Sequence, residues 1–266
     1  MKDLLVDKSS GNDIKVKVRD TIIGGNEKVI ISGPCSVESY EIMVNIAKSL
    51  KVMGVNMLRG GAFKPRTSPY DFQGLQYEGL KILSEVSKKV DIPVVTEVMD
   101  IRDIEEVIKY ADMVQIGSRN MYNYPLLKEL GKINVPILLK RGISATLSEW
   151  LYAAEYIIIG GNENVVLCER GIRTFESYTR NTLDLNSVAV IKEKYRLPVI
   201  VDPSHGTGLR ELVPAMSLAS IAAGADGLII ESHINPDNSV SDARQTISLD
   251  SLKEIINNIQ KLKRSL

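Results

Sequence analysis

The chain has 266 residues, 44% hydrophobic and 25% charged, with 33 Lys plus Arg against 33 Asp plus Glu; this is the make-up of an ordinary folded protein, and the balance excludes recruitment to nucleic acid or membrane by overall charge. No stretch approaches the roughly 20 apolar residues of a membrane span, and charges break every apolar run near the N-terminus, which excludes a signal peptide. Two cysteines, Cys35 and Cys168, are too few for a disulfide scaffold and read as thiols of a reducing cytoplasm.

Residues 14–18 alternate strictly and predict a half-exposed strand, and Gly24-Gly25-Asn26 supplies a turn. Residues 1–27 therefore read as a tail plus a small β-hairpin. From residue 28 the pattern repeats. A first apolar strand, 29–32, ends in Gly33-Pro34-Cys35, and a helix follows with Ile42, Met43, Ile46, Ala47 and Leu50 on one face. Further strands are predicted at 55–58, 92–98, 113–116, 135–139, 164–168, 197–201 and 225–230. Helices are predicted near 75–90, 101–110, 123–132, 146–159, 185–195, 211–223 and 249–263. Continuous apolar strands alternating with amphipathic helices indicate a parallel sheet covered on its outside. Eight such units in about 240 residues fit a closed (β/α)₈ TIM barrel over residues 28–266 better than an open sheet.

Active sites of such barrels lie at the C-terminal strand ends. Those positions carry Cys35, Arg59 with Lys64 beyond it, Glu97, Gln115 to Ser118, Lys140-Arg141, Glu169-Arg170, Asp202 to His205, and Glu231 to His233, with Asp242 in the last loop. The opposite ends offer Lys28, Asn56, Asp91, Asp112 and Asn164, which read as solubilising caps.

Two chemical subsets separate. Cys35, His205, Glu231 and Asp242 come from the first, seventh and eighth strands, neighbours once a barrel closes. A thiolate, an imidazole and two carboxylates suit one divalent transition metal, whereas magnesium disfavours sulfur. Cys35 or a histidine alone reads as a packed core residue, but four ligand types on adjacent strand ends outweigh that. Glu97 and His233 are further candidates, as ligands or as groups that orient ligands. The second subset is cationic: Arg59, Lys64, Arg66, Lys140 and Arg170. Seen alone, the loop from Arg59 to Ser68 is a solvated charge run, and it fails the Walker A pattern. Five cations facing one cavity call for anions, with the backbone at Gly117-Ser118 as added donors. Cys168, two residues before Arg170, reads as core packing.

With these motifs, the chain resembles the DAHP synthases, in the branch related to 3-deoxy-octulosonate 8-phosphate synthases. Gly33-Pro34-Cys35-Ser36, the run from Arg59 to Thr67, Gln115-Ile116-Gly117, Leu139 to Gly142, Glu169-Arg170-Gly171, Asp202 to Gly208 and Glu231-Ser232-His233 carry the resemblance. It implies condensation of phosphoenolpyruvate with erythrose 4-phosphate. It also implies Cys35, His205, Glu231 and Asp242 as ligands of manganese, iron, cobalt or zinc. By the same resemblance Arg59, Lys64, Lys140 and Arg170, with Gly117 and Ser118, are expected to hold phosphoenolpyruvate and Pro65, Arg66 and Thr67 to line the acceptor end, with Lys64 a candidate proton donor. The octulosonate synthases, which take arabinose 5-phosphate, typically have Ala-Asn-Arg where this chain has Pro65-Arg66. A Schiff-base aldolase using Lys140 and a non-catalytic sugar-phosphate-binding barrel are rival readings. The resemblance further implies a hairpin capping the barrel bottom and a homotetramer or homodimer. The short extensions leave no room for a ferredoxin-like or chorismate mutase domain, so little feedback inhibition by Phe or Tyr is expected.

Overall fold

A computed structural model describes residues 4–264; of the expected tail and barrel, residues 1–3 and 265–266 lie outside the described residues. The hairpin strands are β1 (Val16–Val18) and β2 (Thr21–Ile23), paired antiparallel. The barrel strands are β3 (Val29–Gly33), β4 (Met57–Arg59), β5 (Val94–Val98), β6 (Met113–Ile116), β7 (Ile137–Lys140), β8 (Val165–Glu169), β9 (Val199–Val201) and β10 (Gly227–His233). All are parallel in sequence order, and β10 pairs with both β9 and β3, so the sheet closes. The closure is uneven. β10 matches β3 over five residues, from Gly227↔Val29 to Glu231↔Gly33, but matches β9 only at Gly227↔Ile200 and Leu228↔Val201.

The covering helices are α1 (Tyr40–Val52), α2 (Gln76–Val90), α3 (Ile104–Tyr110), α4 (Tyr124–Gly131), α5 (Leu147–Ile159), α6 (Leu185–Lys194), α7 (Pro203–Thr207), α8 (Val213–Ala222) and α9 (Leu249–Lys263), with a short β11 (Ile247–Ser248) beside the end of β10. Barrel strands are buried on both faces because side chains pointing in fill the barrel and those pointing out meet helices. Local signals set the helix starts. Ser39, Asn123, Thr146, Asp184 and Ser248 each accept a backbone N–H at an N-cap, and Thr146 with Glu149 forms a full capping box. Among the described residues no helix is long and apolar enough to cross a membrane.

Three details depart from the sequence reading. The hairpin turns at Arg19-Asp20, with Arg19 at φ 49°, while the Gly24 region joins β2 to the barrel. The five-residue α7 was not foreseen, although Asp202 as N-cap followed by Pro203 is a helix-start signal. The polar residues at the barrel bottom do more than keep it soluble. Asn56 Oδ1 accepts from Ile30 N at 2.8 Å, and Asp112 Oδ2 from Val94 N at 2.8 Å. Asp226 Oδ2 accepts from Val199 N at 2.8 Å. Each stands just before one strand and completes the ladder of a neighbouring strand, satisfying a donor that staggered strands leave open. Of the expected caps, Asp91 remains a solvated one. The hairpin covers this end, with Arg19 Nε donating to Asp112 at 2.7 Å and Ile14 N to Arg196 O at 2.7 Å.

The Asp226 cap is the most buried of the three and also accepts from Lys192 Nζ at 2.8 and 2.9 Å. Asp226→Ala should cost about 2 kcal/mol by orphaning the buried Val199 N–H, and thermal denaturation should show a fall of about 4–8 °C. Asp226→Asn keeps an acceptor and should recover most of it. An unchanged melting temperature in the alanine variant would remove the cap's energetic role.

Candidate active site

The site is assembled where β3 passes β4. Gly33 has φ 148°, and a Cβ there would stand 2.3 Å from Arg59 O, so only glycine lets the two strands approach this closely. The pairing continues past the strands: Gly61 N donates to Cys35 O at 3.2 Å and Val37 N to Gly61 O at 3.0 Å. Gly61 has no room for a Cβ either, since Lys64 Cδ would lie 2.8 Å and Cys35 O 2.9 Å from it. That space lets Lys64 fold back, where Nζ donates to Cys35 O at 3.0 Å and to Cys35 Sγ at 2.9 Å.

Cys35, Glu231 and Asp242 each bring one donor atom within 4.8 Å of the others. Cys35 Sγ donates to Asp242 Oδ2 at 3.2 Å. His205 completes the group less tightly, its Nε2 lying 3.6 Å from Glu231 Oε1 and 4.0 Å from Asp242 Oδ2. Donors at such separations match ligands of one ion held by bonds of about 2.0–2.3 Å. The backbone is committed to this arrangement, because Asp242 adopts a left-handed conformation, φ 53°, unusual for a non-glycine residue. Glu231 N donates to Ser204 Oγ in α7, at 3.0 Å.

The electrostatics fit a cation. Burial, with Glu231 adding to it, pushes the Cys35 thiol up to about 12; a divalent ion beside the sulfur reverses this preference. Burial would also raise Glu231, but His205, Arg59 and Lys64 overturn it and hold this carboxyl well below its usual range. Burial lowers His205, against the pull of Asp202 and Glu231, and favours the neutral imidazole that binds metals.

Beside this group opens a cavity of about 470 Å³. Arg59, Lys64, Pro65, Arg66, Thr67, Gly117, Ser118, Lys140 and Arg170 all line it, as do His205 and Asp242, while Cys35 and Glu231 are fully buried. Sequence reasoning missed three more lining cations, Arg119, Arg173 and Arg180. Arg119 directly follows Ser118 and could have been found; Arg173 and Arg180 sit in a long polar loop with no periodic signal.

Some of these charges are internally matched. Arg59 Nη1 contacts Glu231 Oε1 at 2.7 Å, Lys140 Nζ contacts Asp202 Oδ2 at 2.6 Å, and Arg180 Nη1 lies 3.6 Å from Asp242 Oδ1. Among the described residues, Lys64, Arg66, Arg119, Arg170 and Arg173 line the cavity with no carboxylate within 4.0 Å. Burial lowers Arg170 below its ordinary value, with Arg180 adding to it against the pull of Asp202; an anion would relieve both effects.

Glu97 and His233 do not join the Cys35 group. Glu97 accepts from Gln115 Nε2 at 3.0 Å on the cavity wall, where burial raises its carboxyl. His233 Nδ1 lies 2.7 Å from Asn235 O and Nε2 3.5 Å from Glu38. Arg141, adjacent to Lys140, is turned away into an ion-pair cluster with Glu169 and Asp184. Cys168 is fully buried, as its place in β8 implied.

A family model described as the DAHP synthetase I family matches residues 10–266. A phospho-2-dehydro-3-deoxyheptonate aldolase of Thermotoga maritima is 47% identical over 254 residues, 96% of this chain and 75% of that protein. A 2-dehydro-3-deoxyphosphooctonate aldolase of Francisella tularensis is 29% identical over 93% of this chain and 96% of that one. The solved structure of the phospho-2-dehydro-3-deoxyheptonate aldolase (DAHP synthase) of Thermotoga maritima superposes with a TM-score of 0.96 at 45% identity, covering 100% of this chain and 78% of that one. A truncated 3-deoxy-D-arabino-heptulosonate 7-phosphate synthase of the same organism superposes at 0.91 and 42% identity, covering 98% and 96%. The chain belongs to the DAHP synthetase I family.

Proposed function

We propose that the protein condenses phosphoenolpyruvate with erythrose 4-phosphate to give 3-deoxy-D-arabino-heptulosonate 7-phosphate and phosphate, the first step of the shikimate pathway. The observation that carries this reading is the set of five cations without carboxylate partners beside the thiol, imidazole and two carboxylates. Two phosphate monoesters and one carboxylate bring about five negative charges at neutral pH, which such a cavity balances. The name of the Thermotoga maritima relative supports the same activity.

In this reading Arg59, Lys64, Lys140 and Arg170, with the backbone at Gly117-Ser118, hold phosphoenolpyruvate and orient its methylene carbon. Pro65, Arg66 and Thr67 receive the acceptor, and Arg66 is braced for this by its contact with Ser241 Oγ at 2.5 Å. Cys35, His205, Glu231 and Asp242 would hold one divalent transition metal, manganese, iron, cobalt or zinc, which supplies Lewis-acid polarisation of the acceptor's carbonyl oxygen. The methylene carbon forms the new C–C bond to the aldehyde carbon. Lys64 Nζ delivers a proton to the developing alkoxide. Water then adds at the former C2 of phosphoenolpyruvate, and phosphate departs with cleavage of the C–O bond. A Schiff base at Lys140 is disfavoured because its ammonium is paired with the buried Asp202 and attack needs the free amine.

This reading puts the reaction in the cytoplasm, and the two free thiols, Cys35 and Cys168, support a reducing compartment. The acceptor test is direct. Erythrose 4-phosphate should be used with kcat/KM at least about 100-fold above arabinose 5-phosphate, a difference of the size that a well-placed polar contact to the acceptor can give. Preference for the five-carbon sugar would assign the protein to the octulosonate reaction instead.

A further inference from the structure

Asp202 follows β9 and is fully buried, yet it serves two side chains with different duties. Its Oδ2 accepts from Lys140 Nζ at 2.6 Å and lies 2.8 Å from His205 Nδ1, while Oδ1 accepts from His205 N at 2.9 Å. One oxygen is thus held by an ammonium on the anion-binding wall, while the imidazole of the thiol–carboxylate group lies beside it with its buried Nδ1 making no well-directed hydrogen bond. The two groups compete for Oδ2, because an oxygen directed at the ammonium is not directed at the imidazole N–H, and Nδ1 is left unsatisfied. Lys140 and His205 both line the cavity, so each is open to a ligand that Asp202 does not touch.

We propose that Asp202 is a positioning residue that couples the two halves of the site: an anion that draws Lys140 away releases Oδ2 to His205 and makes Nε2 a stronger donor to a divalent cation. A carboxylate on the far nitrogen of an imidazole raises its basicity as a ligand. The coupling is reciprocal by thermodynamic necessity, so the cation tightens the anion by the same factor. This rests on the reading of the cavity as a phosphoenolpyruvate site beside a metal site.

The test is calorimetric titration of chelator-stripped protein with Mn²⁺, with and without saturating phosphoenolpyruvate. In the parent protein phosphoenolpyruvate should tighten Mn²⁺ by about tenfold. In Asp202→Asn the ratio should fall to within about twofold of one, whatever happens to the separate affinities. A ratio that survives in that variant means that the anion and cation attract through space and overturns the proposal. Lys140→Met supplies a second arm if the first variant fails to fold. With the competitor gone, Mn²⁺ alone should bind about tenfold tighter, and phosphoenolpyruvate should tighten it no further. General damage to the site would loosen Mn²⁺ instead, contradicting the proposal. Simple relief of charge repulsion by Lys140→Met would tighten Mn²⁺ equally in an Asp202→Asn background, whereas release of Oδ2 cannot act there; equal tightening in that double variant also overturns the proposal. A parent protein that binds neither Mn²⁺ nor phosphoenolpyruvate sinks the functional reading itself. Binding of both with a ratio near one sinks only the coupling.

Discussion

Replacing Cys35 with serine should lower kcat by about 10³-fold or more, the loss expected when several kcal/mol of charge stabilisation disappear. The melting temperature should stay close to that of the parent, because a hydroxyl can occupy the same cavity and still donate to Asp242 Oδ2, which lies 3.2 Å from the sulfur. The effect comes from the softness of sulfur. Of the three donors within 4.8 Å of one another, only the Cys35 sulfur disfavours magnesium, and the looser His205 nitrogen adds to the same preference. Chelator should inactivate the parent protein, with Mn²⁺ restoring it, and Cys35→Ser should bind Mn²⁺ more weakly in the same titration. Activity above about a tenth of the parent's in Cys35→Ser, once chelator-resistant turnover is excluded, would show that the sulfur is not needed.

The second large effect is on stability. Arg141 lies next to Lys140 but faces the other way: Nη1 contacts Glu169 Oε2 at 2.9 Å, Asp184 Oδ2 at 2.8 Å and Ser187 Oγ at 3.1 Å. Its guanidinium also stands 5.7 Å from the Trp150 ring. Burial would lower Arg141, but Glu169 and Asp184 raise it above its ordinary value, while burial raises Glu169 against Arg141's opposing pull. Arg141→Leu leaves a buried carboxylate without its counter-ion, a loss of about 3–5 kcal/mol, or roughly 10 °C in melting temperature.

The pH dependence of that loss has a definite sign. A carboxyl whose folded-state value is raised binds its proton more readily folded than unfolded, so it destabilises the fold once ionised. Without Arg141 this upward shift grows. The deficit should be largest above the raised Glu169 value and should shrink as pH falls through it toward the ordinary 4.5. Urea unfolding at several pH values checks this. A variant that keeps its melting temperature but loses affinity for phosphoenolpyruvate would move Arg141 into the binding site.

The contrast between Lys140 and Arg141 marks what the sequence could convey. Strands β3 to β10 were legible because burial on both faces leaves unbroken apolar runs such as Val165-Val166-Leu167-Cys168. Their C-terminal ends then named almost every group around the cavity. Adjacent polar residues at a strand end, however, point to opposite sides of the sheet, and nothing in Lys140-Arg141 says which one looks inward. Pairings such as Arg59 with Glu231, 172 residues apart, depend on barrel closure and so have no local signature. The caps at Asn56, Asp112 and Asp226 escaped for the same reason, since each serves a different strand from the one it precedes.

The short match between β9 and β10 has a consequence for where chemistry can occur. Above Leu228 these two strands stop sharing rungs, and in a fully zipped sheet the N–H of Glu231 would be spent on a neighbouring backbone. Here Ser204 Oγ takes that hydrogen bond, and α7 occupies the opening and carries His205 toward Glu231. The imidazole approaches Glu231, to 3.6 Å, from just beyond the end of β9. β10 runs on past the end of β9, and the room left beside its upper end is what admits the histidine.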